Sequence, residues 1–134
     1  LREIKNNLIH NLINLALKKK EILIKNASIQ RSFIPSQIFI DLVNYIINKS
    51  IFNNSIINIF YKSFSLKEVA EIIQKRSKLL FKLKINIILK KFTNKKKFLV
   101  NPNQILKINA NNKKINIEID RILNLLKKNS RDNE

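Results

Sequence analysis

The chain contains no glycine, cysteine, methionine or tryptophan, two prolines and one histidine, and nine acidic residues stand against 27 basic ones. Each scarcity removes a class of chemistry. Without cysteine there is no disulfide, no thiolate metal site and no thiol nucleophile. A loop that cradles a nucleotide needs glycines so that backbone N–H groups can reach phosphate, and that material is missing. Turns fall to other residues, chiefly the 21 asparagines. No apolar run reaches the ~18 residues of a membrane span, and the opening residues show no secretory signal pattern. With no methionine anywhere, Leu1 is not expected to be the true start.

What remains is strongly biased. Isoleucine (26), lysine (22), asparagine (21) and phenylalanine (8) make 77 of the 134 residues, as codons built mainly from A and T would produce. The expected source is an A/T-rich genome of an organelle, a mitochondrion or alternatively a plastid. Glutamate and aspartate codons are also mostly A and T, so codon bias does not explain the shortage of acids. A net charge of +18 opposes compaction by self-repulsion and implies a polyanionic partner, nucleic acid or an acidic membrane face. At 134 residues and 45% hydrophobic, a single domain can bury roughly two thirds of its unfolded surface.

Apolar spacing predicts a mainly α fold, a single-domain helical bundle with one inserted β-hairpin that forms a basic β-ribbon. Ile4, Leu8, Leu12 and Leu15 line one face of a first helix ending in Lys18, Lys19 and Lys20, cations suited to the negative end of a helix dipole. "EILIK" reads as a short extended segment, and a connector follows to Pro35, with Ser36 as an N-cap. Ile38, Leu42, Tyr45 and Ile46 give a second helix, and Ser55 to Phe64 a third, short one. Ser65 and Glu68 form a capping box opening a helix through Leu80. From Phe81 to Leu89 the period becomes two, which marks a strand, and Pro102 limits its successor to an edge or a short run. Ile119, Ile122, Leu123 and Leu126 form a closing helix with Glu118 and Asp120 at its start. The expected divisions of one domain over 1–134 are an N-terminal helix and connector (1–35), a helical core (36–80), a basic ribbon (81–108) and a closing helix (115–129).

Parts for catalysis are lacking. His10 lies in a helical pattern with no carboxylate cluster near it in sequence, and Glu68, Glu71, Glu118 and Asp120 are accounted for by helix starts. No enzyme, metal site, cofactor or small-molecule substrate is expected. Between Ile72 and Ile117, by contrast, lie 13 lysines or arginines and not one acid. Lys82, Lys84, Lys90, Lys91, Lys95, Lys96 and Lys97 fall in the ribbon, whose apolar faces would anchor it while its tip meets phosphate. Lys75, Arg76 and Lys78 form a second expected patch, with Lys113, Lys114, Lys127 and Lys128 as further contacts. Phe92, in "KKFTNKKK", is placed to stack on a base. The alternatives are an RNA-binding fragment of a mobile-element maturase or nuclease, and a basic membrane-associated scaffold.

The order of elements and several strings resemble the S-seven family of small-subunit ribosomal proteins. "LVNYIINKS" is similar to that family's first core helix, with Asn44 and Lys49 in register. "SIINIFYKSF" is similar to the segment after it through Ser55, Ile59, Tyr61 and Phe64. "LKEVAEIIQKRSKLLFKLK" matches the family's capped helix in character at Ile73, Leu79 and Lys84, and "FLVNP" and "EIDRILNLLKK" fall where it has its second ribbon strand and closing helix. The resemblance covers residues 36 to 129; the family's ribbon-tip glycines and closing-helix tryptophan are absent. "NNLIHNLINLALKKKEILI" also resembles the opening helix and strand of the S-eight family. Either resemblance implies a structural constituent of a ribosomal small subunit, here organellar, bound to small-subunit rRNA and to other small-subunit ribosomal proteins. RNA would be read by backbone and shape, without a membrane span.

Overall fold

A computed structural model of the chain describes residues 7–49, 58–90, 105–107 and 112–131. Four helices dominate: α1 (Leu8–Lys19), α2 (Ser36–Asn48), α3 (Leu66–Phe81) and α4 (Asn112–Arg131). Between them lie six short strands: β1 (Glu21–Ile24), β2 (Gln30–Phe33), β3 (Asn58–Phe60), β4 (Lys62–Ser65), β5 (Asn86–Leu89) and β6 (Ile105–Lys107). The mainly α, single-domain class expected from the sequence is what the structure has.

Local sequence explains the helix starts. Asn7 caps α1 by accepting a hydrogen bond from the Ile9 N–H at 3.0 Å. At α3 the capping box forms in both directions: the Glu68 N–H donates to Ser65 Oγ at 3.1 Å, and the Ser65 N–H donates to Glu68 Oε2 at 2.6 Å. Those bonds from Ser65, backbone first, hold the Glu68 carboxyl below the usual carboxylate range. Apolar residues three and four apart then place Leu12, Ile13 and Ala16 of α1, Val69, Ala70 and Ile73 of α3, and Ile115, Ile119, Ile122 and Leu123 of α4 in one core.

Helices α1 and α3 leave by the same device. Each ends on a lysine in the left-handed region, Lys20 at φ 54° and Lys82 at φ 55°, where glycine is the usual choice. Each turn feeds a strand, and those strands, β1 and β5, pair in parallel from Glu21↔Asn86 to Ile24↔Leu89. One face of this small sheet buries Ile22 and Ile24 against the helices. Strands β2 and β4 pair antiparallel, and β3 pairs in parallel with β6.

Several expectations are corrected. Ser55 to Phe64 is not a helix: its described part holds β3 and the start of β4. Its residues belong to strands too short for periodicity to identify, and pairing with distant β2 and β6 decides their conformation. The expected connector before Pro35 contains β2. Ser36 does not cap α2; Pro35 occupies the cap position, without a side-chain bond, while Ser36 Oγ donates to Glu118 at 3.0 Å. The period-two segment begins later than expected, because Phe81 still belongs to α3 and the strand starts at Asn86. The described strands of the expected ribbon, β5 and β6, pair with β1 and β3 and not with each other. Helix α4 starts at Asn112, so Glu118 and Asp120 lie beyond its first turn and serve side-chain partners rather than the dipole.

Candidate nucleic-acid interface

The orientation of the helices gathers charge that is scattered in sequence. Arg76 Nε donates to Asp120 Oδ1 at 2.7 Å, and the Lys127 ammonium sits 3.9 Å above the Phe81 ring centroid. Both contacts join α3 to α4, and they advance together along the two chains, so the helices run parallel with their C-terminal ends side by side. Parallel β1 and β5 set the exit of α1 beside the segment that follows α3. His10, near the start of α1, feels Arg121 and Glu118 in the middle of α4. Burial first and then Arg121 lower the His10 pKa from its ordinary value, against the pull of Glu118.

The C-termini of α3 and α4 therefore share one end of the molecule, the exit of α1 joins the segment that follows α3, and each arrives with lysines. Lys18, Lys19 and Lys20 leave α1, Lys78, Lys82 and Lys84 leave α3, and Lys127 and Lys128 lie in the last turns of α4. The Asn86 N–H donates to the Lys20 carbonyl at 2.9 Å, which ties the first two groups together. All but Lys127 are exposed. Matching of helix dipoles does not account for this number. Each C-terminus carries about half a negative charge, so three require about 1.5 positive charges, and eight lysines are present. With neighbouring helix axes 8–10 Å apart, the patch extends over roughly 20 Å.

The acids, meanwhile, are engaged within the fold. Of the six among the described residues, five have partners: Asp41 with Gln37, Glu68 with Ser65, Glu71 with Lys67, Glu118 with Ser36 and Arg121, and Asp120 with Arg76. Burial opposes ionisation of Glu118, but its bonds from Arg121 and Ser36 outweigh burial and hold its carboxyl below the usual range. The bonds to Asp120 and Glu118 raise Arg76 and Arg121 further above their ordinary values. The eight cations grouped here are lysines: point charges on flexible stems, suited to phosphate and poor at base-edge readout.

The expected contacts thus divide. Lys78, Lys82, Lys84, Lys127 and Lys128 come together, although Lys127 is half-buried over Phe81. Arg76 instead engages Asp120 with its guanidinium across the α3–α4 seam. Lys75 lines a hollow of about 270 Å³ with Lys62, Phe64, Glu68, Glu71 and Ile72, where acids offset its charge. Lys113 and Lys114 begin α4 and so stand at its far end from Lys127 and Lys128. Lys90 follows β5, roughly 13 Å along the strands from the patch. Lys91, Phe92, Lys95, Lys96 and Lys97 lie outside the described residues. Lys18, Lys19 and Lys20 were read from the sequence only as partners of their own helix dipole. The signal that unites them with the others is the recurrence of lysine at three helix ends, which becomes a site only once the pairing of β1 with β5 is known.

No helix among the described residues is long and apolar enough to cross a membrane. Compared with known protein families, curated proteins and solved structures, the chain matches none.

Proposed function

We propose that this chain is a structural RNA-binding protein, a constituent of an organellar, mitochondrial ribosome small subunit, whose lysine-rich helix ends seat on the phosphate backbone of folded small-subunit rRNA. The observation that carries the RNA reading is that lysines at the adjoining ends of α3 and α4 are continued by those at the exit of α1, on a body in which five of the six described acids are engaged within the fold. Such a surface binds by releasing counterions and by following RNA shape, with little dependence on base sequence. The ribosomal assignment is supported by the family resemblance and by the codon bias, and it makes small-subunit rRNA and neighbouring ribosomal proteins the partners.

Titration of a structured RNA at several salt concentrations tests the interface. Replacing Lys82, Lys84 and Lys128 together by Ala should reduce the log–log salt slope by about 2–3 and weaken binding by roughly 10²–10³-fold at moderate salt. Replacing Lys49, Lys75 and Lys114, a set of equal charge elsewhere on the surface, should change the slope by less than about one. Equal effects from the two sets would reject a localised interface. Sedimentation of the native protein with the small ribosomal subunit, and its release by RNase, tests the ribosomal assignment.

A further inference from the structure

Helix α2 has more apolar surface than the fold covers. Eight of its 13 residues are apolar, and it buries only Ile38 and Leu42. At about 100° per residue, Ile38 and Leu42 occupy one side, and Phe39, Ile40, Val43 and Ile47 form a second arc of roughly 100° beside it. Phe39, Ile40 and Ile47 are each between 49% and 52% exposed, and Val43 is half-buried. This arc contains no charge; the helix's only ionisable acid, Asp41, lies on the other side and accepts from Gln37 at 2.9 Å.

Three occupants can be set aside on physical grounds. The arc exposes roughly 300 Å², well short of the ~800 Å² per partner of a stable pair. A second copy would have to bind through that small area against the repulsion of two chains of +18. RNA finds no cation on α2 with which to hold its phosphates. A helix lying in a membrane surface carries lysines or arginines along its polar face, and the polar residues of α2 are Ser36, Gln37, Asp41, Asn44 and Asn48. A heterologous protein of negative charge escapes the repulsion, and its attraction to the basic body supplements the small apolar contact.

We propose that the Phe39–Ile40–Val43–Ile47 face of α2 docks an amphipathic helix of an acidic protein, apolar stripe on apolar arc, with acidic flanks drawn by the surrounding positive field. This inference is independent of the RNA-binding reading, since it uses a different helix and an uncharged face. The probes are three synthetic 18-residue amphipathic peptides on the full chain: a leucine stripe flanked by Glu, the same stripe flanked by Lys, and the Glu-flanked peptide with its stripe changed to Gln. The Glu-flanked leucine peptide should bind at least tenfold more tightly than either of the others. The Ile40→Gln/Ile47→Gln variant should lose at least tenfold of that affinity, with its circular dichroism, thermal midpoint and RNA affinity retained. Equal peptide binding by the variant overturns the site, because the attraction would then come from lysines alone. So does concentration-dependent dimerisation that the same variant abolishes, which makes a second copy the occupant, or flotation on phosphatidylglycerol vesicles that it abolishes, which makes a membrane the occupant. If the double variant fails to keep its thermal midpoint, Phe39→Gln alone serves, with the same outcomes.

Discussion

Helices α2 and α3 carry the same number of apolar residues, eight each, and use them in opposite ways. Helix α3 spreads its eight over 16 residues, begins with a reciprocal capping box and sets Val69, Ala70 and Ile73 in the core, with Leu66, Ile72 and Phe81 packed against it. Helix α2 concentrates its eight in 13 residues, has no side-chain cap and buries two of them. Apolar content alone therefore does not determine burial. Spacing that confines apolar side chains to one stripe, with caps that fix the helix ends, makes a core helix. Apolar residues beyond that stripe remain at the surface.

Mutations at matched positions sharpen this contrast, the core first. Ile73→Ala, at a fully buried site in α3, should cost about 2–5 kcal/mol by transfer and cavity terms. Ile47→Ala, on α2, should stay within about 0.5 kcal/mol. Chemical denaturation of both variants checks the pair, and similar losses would mean that α2 is also a core element. A smaller effect belongs to the cap. Ser65→Ala should cost about 1 kcal/mol, and that loss should depend on pH. Because the folded Glu68 pKa lies below its ordinary 4.5, the Glu68 half of the box stabilises above that value and ceases to do so as pH falls through the folded pKa. Melting curves from pH 7 to pH 3 should therefore show the gap between variant and parent narrowing in acid without closing, because the bond from the Glu68 N–H to Ser65 Oγ does not titrate. Smallest is the α3 exit: Lys82→Gly should stabilise by about 0.5 kcal/mol, the left-handed strain relieved less the added freedom of glycine in the unfolded chain. The same change should weaken RNA binding by removing one charge, so stability and affinity would move in opposite directions.

Much of the helical body was legible in the sequence because its signals are local. Asparagine, serine and glutamate at cap positions, and apolar residues three and four apart, specify α1, α3 and α4 wherever the chain folds. The short strands were legible only in part: Glu21–Ile24 and the end of Phe81–Leu89 read as extended, but their pairing did not. Glu21–Ile24 and Asn86–Leu89 lie far apart in the chain, and only tertiary pairing makes them neighbours. The segment around Phe60 and Phe64 has helical spacing, yet pairing with β2 and β6 overrides it. The candidate site was partly legible for the same reason. Lys78, Lys82, Lys84, Lys127 and Lys128 stood out by charge, but charge density could not show that Arg76 serves Asp120 or that Lys18, Lys19 and Lys20 belong with them. Those facts depend on which helix ends meet.

The two left-handed lysines restrict how this chain can evolve. At Lys20 and Lys82 the backbone tolerates side chains that are unbranched at Cβ, with asparagine the best accommodated after glycine. A lysine codon AAA reaches asparagine by one base change and isoleucine, ATA, by another, and isoleucine is the commonest residue in the chain. Neutral substitution toward asparagine should therefore persist at these two sites, while the equally accessible step to isoleucine forces a β-branched residue into a left-handed turn and is purged.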